Sequence, residues 1–279
     1  MLDGQHDVLF QRSKGCAKVV LRNRSGKAAI AELHQSGAAK AFLPRGGVAA
    51  EDVVFLNTSG GLTSGDHLHF DLTVPAGLRM TATTQTAERA YAAPGGSARM
   101  QVDLRVGAEA RLDWLPQETI LFESAHLHRQ TCLQLEAGAS CLFAETIILG
   151  RLARGEAPQQ ARLTDRRMIL RQGRPVWADA LQFGADALAI RDQPASLGMA
   201  RCFAVIVLIA QGAEDAASAL RPLLGAAACE TALSAWNGRL VVRLKARDSW
   251  PLKCQMARCL TQLRGTPLPR VWQMNGDIA

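Results

Sequence analysis

Three segments of this chain repeat one pattern, and that repetition limits the fold more than any other feature. They are "PAGLRMTATTQT" at 75–86, "GAEARLDWLPQET" at 107–119 and "EAGASCLFAETI" at 136–147. Each opens on a small-residue turn at Gly77, Gly107 or Gly138, then alternates apolar and polar residues into a polar patch. Recurrence at about thirty residues is the mark of stacked layers, in which each unit covers its neighbour's apolar face. A hairpin-sized unit cannot bury itself alone. The expectation is therefore a mainly β chain of stacked β-sheet layers, a β-solenoid-like superhelix. A β-sandwich with similar turns is the alternative.

The surrounding sequence agrees. Strand-like alternation runs from about 15 to 185, as in "AKVVLRN", "HLHFDLTV", "RMQVDLRV" and "TCLQLEA". Loops are expected at 151–160 and 184–198, where Gly, Pro and Gln cluster. After about 198 the pattern changes. "RCFAVIVLIA" and "RLVVRLKA" read as strands, whereas 212–228 and 248–264 read as two C-terminal α-helices. Pro222 marks a break in the first helix or the first turn of a second segment, and Asp248 or Ser249 caps the second helix with a proline just inside. A length of 279 residues suits one large domain, with a layered body over about 15–198 and a strand/helix part over about 199–279.

Bulk properties exclude several classes. The net charge of +7 is spread along the chain without a basic run, and aromatic residues make up 5% with one Tyr. Single-strand nucleic-acid binding needs stacking platforms, so no nucleic-acid partner is expected. The longest apolar run, Cys202 to Ala210, is half the length of a membrane span, so no membrane association is expected. The first twenty residues carry Asp3, Asp7, Gln11 and Lys14 and no apolar signal core. Seven scattered cysteines without a C-x-x-C pair fit a reducing cytoplasm, and Cys254 and Cys259 are read as buried thiols rather than metal ligands. The nucleophile elbow, the H-E-x-x-H metalloprotease helix, the phosphate loop and the G-x-G-x-x-G turn do not occur.

Two H-x-H pairs stand out, His67/His69 and His126/His128. On a strand each could offer two imidazoles to one metal, with Asp66 or Asp71 as oxygen donors near the first pair. Used that way they would make a metal-dependent hydrolase. Plain alternation, with Leu inward and two polar residues outward, explains them as well. "NTSGGLTSGD" at 57–66 is either a tight corner or a polar wall. "WLPQETILF" at 114–122 places a carboxylate, Glu118, inside an apolar stretch. Aligning the repeats puts Thr84-Gln85 level with Pro116-Gln117-Glu118 and with Glu145-Thr146. Such a polar ladder either satisfies itself or lines a passage for a cation.

"FLNTSGGLTSGD" (55–66), "TTQTAERAY" (83–91), "WLPQETILF", "ETIILGR" (145–151) and "PRVW" (269–272) resemble, in order, the urease accessory protein UreD (UreH) family. The motifs match at Asn57, Ser59, Gly60, Gly61, Gly65 and Asp66, and at Thr84, Gln85, Glu88 and Tyr91. They match again at Trp114, Pro116, Gln117, Glu118 and Thr119, and at Glu145, Gly150 and Arg151. The resemblance implies a cytoplasmic, non-enzymatic scaffold of nickel insertion within a hetero-oligomer. It would dock on apo-urease and on UreF, and reach the GTPase UreG through UreF. It implies a superhelix of β-sheets with two helices and no tightly bound cofactor, only transient Ni²⁺. The polar ladder, with Asp66, Thr84, Gln85, Glu88, Gln117, Glu118 and Glu145, would be the nickel path. A pure adaptor without a metal path is the alternative within the same family.

Overall fold

Period-two alternation has one structural meaning here: the central strands of the body turn their alternate apolar residues to a shared interior. In the computed structural model Leu68, Phe70, Leu72 and Val74 are buried on one strand, and Leu127, Leu133 and Leu135 on another. The structure describes residues 12–44, 52–225 and 228–273. The N-terminal stretch read for a signal lies, up to residue 11, outside the described residues.

Among the described residues the first sheet has seven strands. Its centre is β1 (Lys14–Arg24), β5 (His67–Val74), β8 (Ala98–Val106), β11 (His126–Leu135) and β13 (Arg162–Arg171), all parallel. Antiparallel β2 (Lys27–Ser36) and β14 (Arg174–Phe183) close its edges. The second sheet runs through β4 (Asp52–Asn57), β6 (Arg79–Thr84), β9 (Arg111–Trp114) and β12 (Ser140–Leu149), again parallel, with β3 (Ala39–Phe42) at one edge. At the other edge β15 (Cys202–Ile209), β17 (Arg239–Ala246) and β16 (Glu230–Trp236) continue antiparallel. The chain goes from one sheet to the other and back, and each circuit adds a parallel strand to both. This is the solenoid-like stacking expected from the repeats. Arg79 pairs with Arg111 and Arg111 with Ser140, so the repeating segments are successive rungs.

Two short strands, β7 (Glu88–Ala90) and β10 (Thr119–Leu121), follow β6 and β9 around a corner and pair in parallel with each other, while β10 pairs also with the far end of β12. Val53, Ala82, Trp114 and Phe143 are paired before the corner, and Leu62, Ala90, Leu121 and Leu149 after it. The residues between, 54–61, 83–89, 115–120 and 144–148, number eight, seven, six and five. The corner therefore loses one residue per circuit, until β12 runs straight through it.

The C-terminal part packs on the outer face of the second sheet as a separate core. Its main helix, α3 (Ser249–Arg264), starts where Asp248 accepts a hydrogen bond from the Trp250 N–H at 2.9 Å and ends at Gly265, with φ of 64°. Leu252, Met256 and Leu260 recur at helical spacing and are buried. Each contributes about 1.5–3 kcal/mol by leaving water. The helix expected over 212–228, with a break or a new segment at Pro222, is shorter than expected. Only α2 (Ala216–Leu220) is α-helical, flanked by 3₁₀ turns at Ala213–Asp215 and Arg221–Leu224, and residues 226–227 lie outside the described residues. Pro222 has no N–H to donate, so the chain tightens there. The loop expected at 184–198 also contains one helical turn, α1 (Ala185–Ala189). Among the described residues no helix is long and apolar enough to cross a membrane.

Candidate functional site

The shrinking corner collects most of the polar residues singled out in the sequence. Asn57, Thr84, Glu88, Gln117, Glu118 and Glu145 all fall within its four crossings. The structure divides them into three groups.

In the first group, Asn57 Nδ2 donates to both oxygens of Glu88, at 3.1 and 3.3 Å, while its Oδ1 holds the Ser59 N–H at 3.0 Å. Asn57, Thr84 and Glu88 line one small cavity of about 30 Å³ with Phe70 as its apolar wall. Burial pushes the Glu88 carboxyl up to about 7, against the pull of the Asn57 amide and the Arg89 N–H. Gly61 is needed beside it: φ is +154°, and a Cβ there would lie 2.4 Å from the Tyr91 ring and 2.6 Å from the Arg89 carbonyl. Gln85 stays half-buried in the turn, its N–H bonded to the Phe55 carbonyl at 2.8 Å.

The second group is continuous with the first through the backbone. Thr84 Oγ1 accepts from the Gln117 N–H at 2.9 Å, and the Glu88 N–H donates to the Glu118 carbonyl at 2.9 Å. The side chains of Gln117 and Glu118 face α3, where Lys253 Nζ reaches Gln117 Oε1 at 2.8 Å and Glu118 Oε2 at 3.4 Å. Trp272 closes this end. Its indole N–H donates to the Leu115 carbonyl at 3.0 Å, and Lys253 Nζ sits 5.6 Å from its ring centroid. Glu118 therefore opens into a cavity of about 140 Å³, lined also by Thr146, Trp250, Met256 and Trp272.

Glu145 belongs to a third group and faces the opposite way, toward the first sheet. It accepts from Thr131 Oγ1 at 2.9 Å and Arg167 Nε at 2.9 Å, and pairs with Arg129 at 2.8 Å. Asp165 completes the set between the same two arginines. All four are buried. Burial raises the Asp165 pKa, but Arg129 and Arg167 outweigh it and hold the carboxyl below its usual range. Glu145 and Glu118 part company because the corner loses a residue. Counted from the β9 end Pro116 is level with Glu145, but counted from the β10 end Glu118 is level with Thr146. One residue of slip moves a side chain to the other face of the sheet. The adjacent-rung ladder from Glu118 to Glu145 expected from the repeats is not what the structure forms.

Asp66 also lies outside the corner groups. Its carboxylate accepts from the Ser13 N–H at 2.7 Å and the Thr63 N–H at 2.8 Å, holding the 57–66 turn shut. That commitment removes it as a partner of the first H-x-H pair. Both pairs stand outward on the first sheet with Leu68 and Leu127 buried between them, as alternation requires. Register sets His67 and His128 on either side of Arg99. Burial and neighbouring His69, Arg99 and Lys14 depress the His67 pKa, and burial with His128 and Arg162 depresses that of His126. Cationic neighbours of this kind oppose a metal at His67 or His126.

Sequence reasoning did not pick out Lys253, Arg129, Asp165 or Arg167. The last three had a visible signal: charged residues at inward positions of otherwise alternating strands, in "HLHRQTC" and "RLTDRRMIL". Lys253 had none, because its partners Gln117 and Glu118 lie 136 and 135 residues away.

With this geometry in view, comparison with known proteins gives one answer. The family described as UreD urease accessory protein matches residues 13–273. A urease accessory protein UreD of Cereibacter sphaeroides (strain ATCC 17025) is 49% identical over 95% of this chain and 96% of its own length. That of Paracoccus denitrificans is 46% identical over 98% and 97%, and that of Rhizobium leguminosarum bv. trifolii 38% over 95% and 96%. The motifs, the layered architecture and these near-full-length matches agree: the chain belongs to the UreD family of urease accessory proteins.

Proposed function

We propose that this chain is a non-catalytic, cytoplasmic scaffold of urease maturation. It docks on apo-urease and on UreF, reaches UreG through UreF, and its corner groups hand Ni²⁺ onward. Membership of the family over nearly the whole chain carries the role in urease maturation. The corner supports the metal path. Glu88 is a half-buried carboxylate hydrogen-bonded by an amide and a backbone N–H, and its proton is held to about pH 7. A divalent ion can replace that proton. Glu118 is joined to it through one backbone hydrogen bond and opens at the other side, against α3. Carboxylates, amides and hydroxyls bind Ni²⁺ more weakly than a closed Cys/His cage, as transfer requires.

The test is co-expression of apo-urease with UreF and UreG, with and without this chain, followed by isolation of the complex and measurement of urease nickel. The chain is expected in the complex and urease nickel is expected to fall without it. Full nickel loading in its absence overturns the proposal.

A further inference from the structure

The outer face of the first sheet carries a cluster that the corner does not use. Register places Cys16, His69 and Gln101 in one row across β1, β5 and β8, and Lys18, Asp71 and Asp103 in the next. One donor atom from each of His69, Asp71 and Asp103 lies within 4.8 Å of the others. Asp71 and Asp103 are directly paired across neighbouring strands, where like charges repel. The site offsets this with Arg105 on Asp71, at 2.9 Å, and with Gln101 Nε2 and His69 Nε2 on Asp103, at 2.7 and 2.9 Å.

The short spacing of two of these donors suits a shared cation. Donors about 2.1 Å from an octahedral metal stand about 3 Å apart when adjacent, which is the spacing of His69 Nε2 and Asp103 Oδ2. The other ring nitrogen, Nδ1, faces Cys16 Sγ at 3.8 Å, so the imidazole is steadied from behind while Nε2 points at the carboxylates. The Arg105 side chain is 47% exposed and can turn to solvent, freeing Asp71. All three donors sit on central strands of a parallel sheet, which fixes their spacing. One imidazole with two carboxylates selects a borderline first-row cation over Ca²⁺ or Mg²⁺. His67, flanked by Lys14 and Arg99, has no such carboxylates.

We infer that His69, Asp71 and Asp103 form a divalent transition-metal site on the outer face of the first sheet, taking Ni²⁺ or Zn²⁺ with water in the remaining positions. The site stands apart from the corner and does not depend on the role proposed for it.

Calorimetric titration of the full chain with NiCl₂, and separately ZnCl₂, tests this. The His69→Gln/Asp103→Asn double variant is expected to lose one equivalent of metal or to weaken its Kd by more than about tenfold. Glu88→Gln and Glu118→Gln are expected to keep that equivalent. An unchanged stoichiometry and Kd in the double variant, or no metal uptake by the unsubstituted chain, overturns the site. A second measurement needs no variant: diethyl pyrocarbonate modification, read by peptide mass spectrometry. Saturating metal is expected to protect His69 and leave exposed His34 and His67 reactive. Equal modification of His69 with and without metal overturns the site.

Discussion

The inter-sheet charge network and the corner meet at Thr119, whose Oγ1 accepts from Arg129 at 3.0 Å, yet they are built on opposite rules. In the network two arginines face Glu145 and Asp165, so buried charge is balanced within the group. In the corner, among the described residues, Glu88 has no cation in its carboxylate's hydrogen bonds, and Glu118 has only Lys253, 3.4 Å away in a pair about a quarter exposed. A balanced buried network holds layers together. An unbalanced one keeps room for an ion.

The comparison breaks first, and most visibly, at Arg167. Arg167→Leu leaves Glu145 and Asp165 with one arginine between them, so urea unfolding is expected to show a loss of about 3–5 kcal/mol. A loss under about 1 kcal/mol would mean that the network does not hold the sheets. Glu88 comes next. Its folded pKa is raised from 4.5 to about 7, so its contribution to stability is complete below about pH 4.5 and is lost as pH rises through about 7. The amplitude is on the order of 2 kcal/mol. Thermal unfolding at pH 5 and pH 8 should show this slope in the parent chain and a flatter one in Glu88→Gln. The same slope in both would place the proton elsewhere.

Glu118→Gln sharpens the contrast at smaller cost to the fold. The Lys253 pair is partly exposed, so stability is expected to change by less than about 1 kcal/mol, and complex formation should persist. Urease nickel content should fall several-fold. Normal nickel loading would make the corner purely structural. The smallest effect belongs to His126 and His128, whose ring centroids lie 5.1 Å apart on the outer face. Changing both to Ala is expected to leave folding and urease nickel unchanged in the same assays, and a loss of nickel with intact folding would return this pair to the metal path.

Much of this was legible in the sequence because strand alternation and turn spacing are local. The three repeats located rungs of the second sheet, and Asp248 marked the start of α3. What stayed hidden depends on counting across the corner. Thr84, Pro116 and Glu145 align when read forward from β6, β9 and β12, yet one missing residue per circuit reverses which face the next side chain meets. No single repeat shows that loss. Lys253 and Trp272 met the corner only through tertiary packing, although "PRVW" and "WLPQETILF" are separate motifs that the fold presses together.

The corner that shortens from eight residues to five also acts as a counter. A parallel stack has no intrinsic reason to stop, and each new rung offers an open edge to another chain. Here the template changes at every step. While a bend remains, the second sheet offers short strands on either side of it. Once β12 crosses without a bend, it presents ten continuous residues, and β15 pairs back along it in the opposite direction. Growth by parallel addition ends at that rung because the edge has become long enough to accept a hairpin. Restoring a residue within 144–148 would reset the count, and the expected result is an unsealed edge and self-association, visible as a shift in sedimentation.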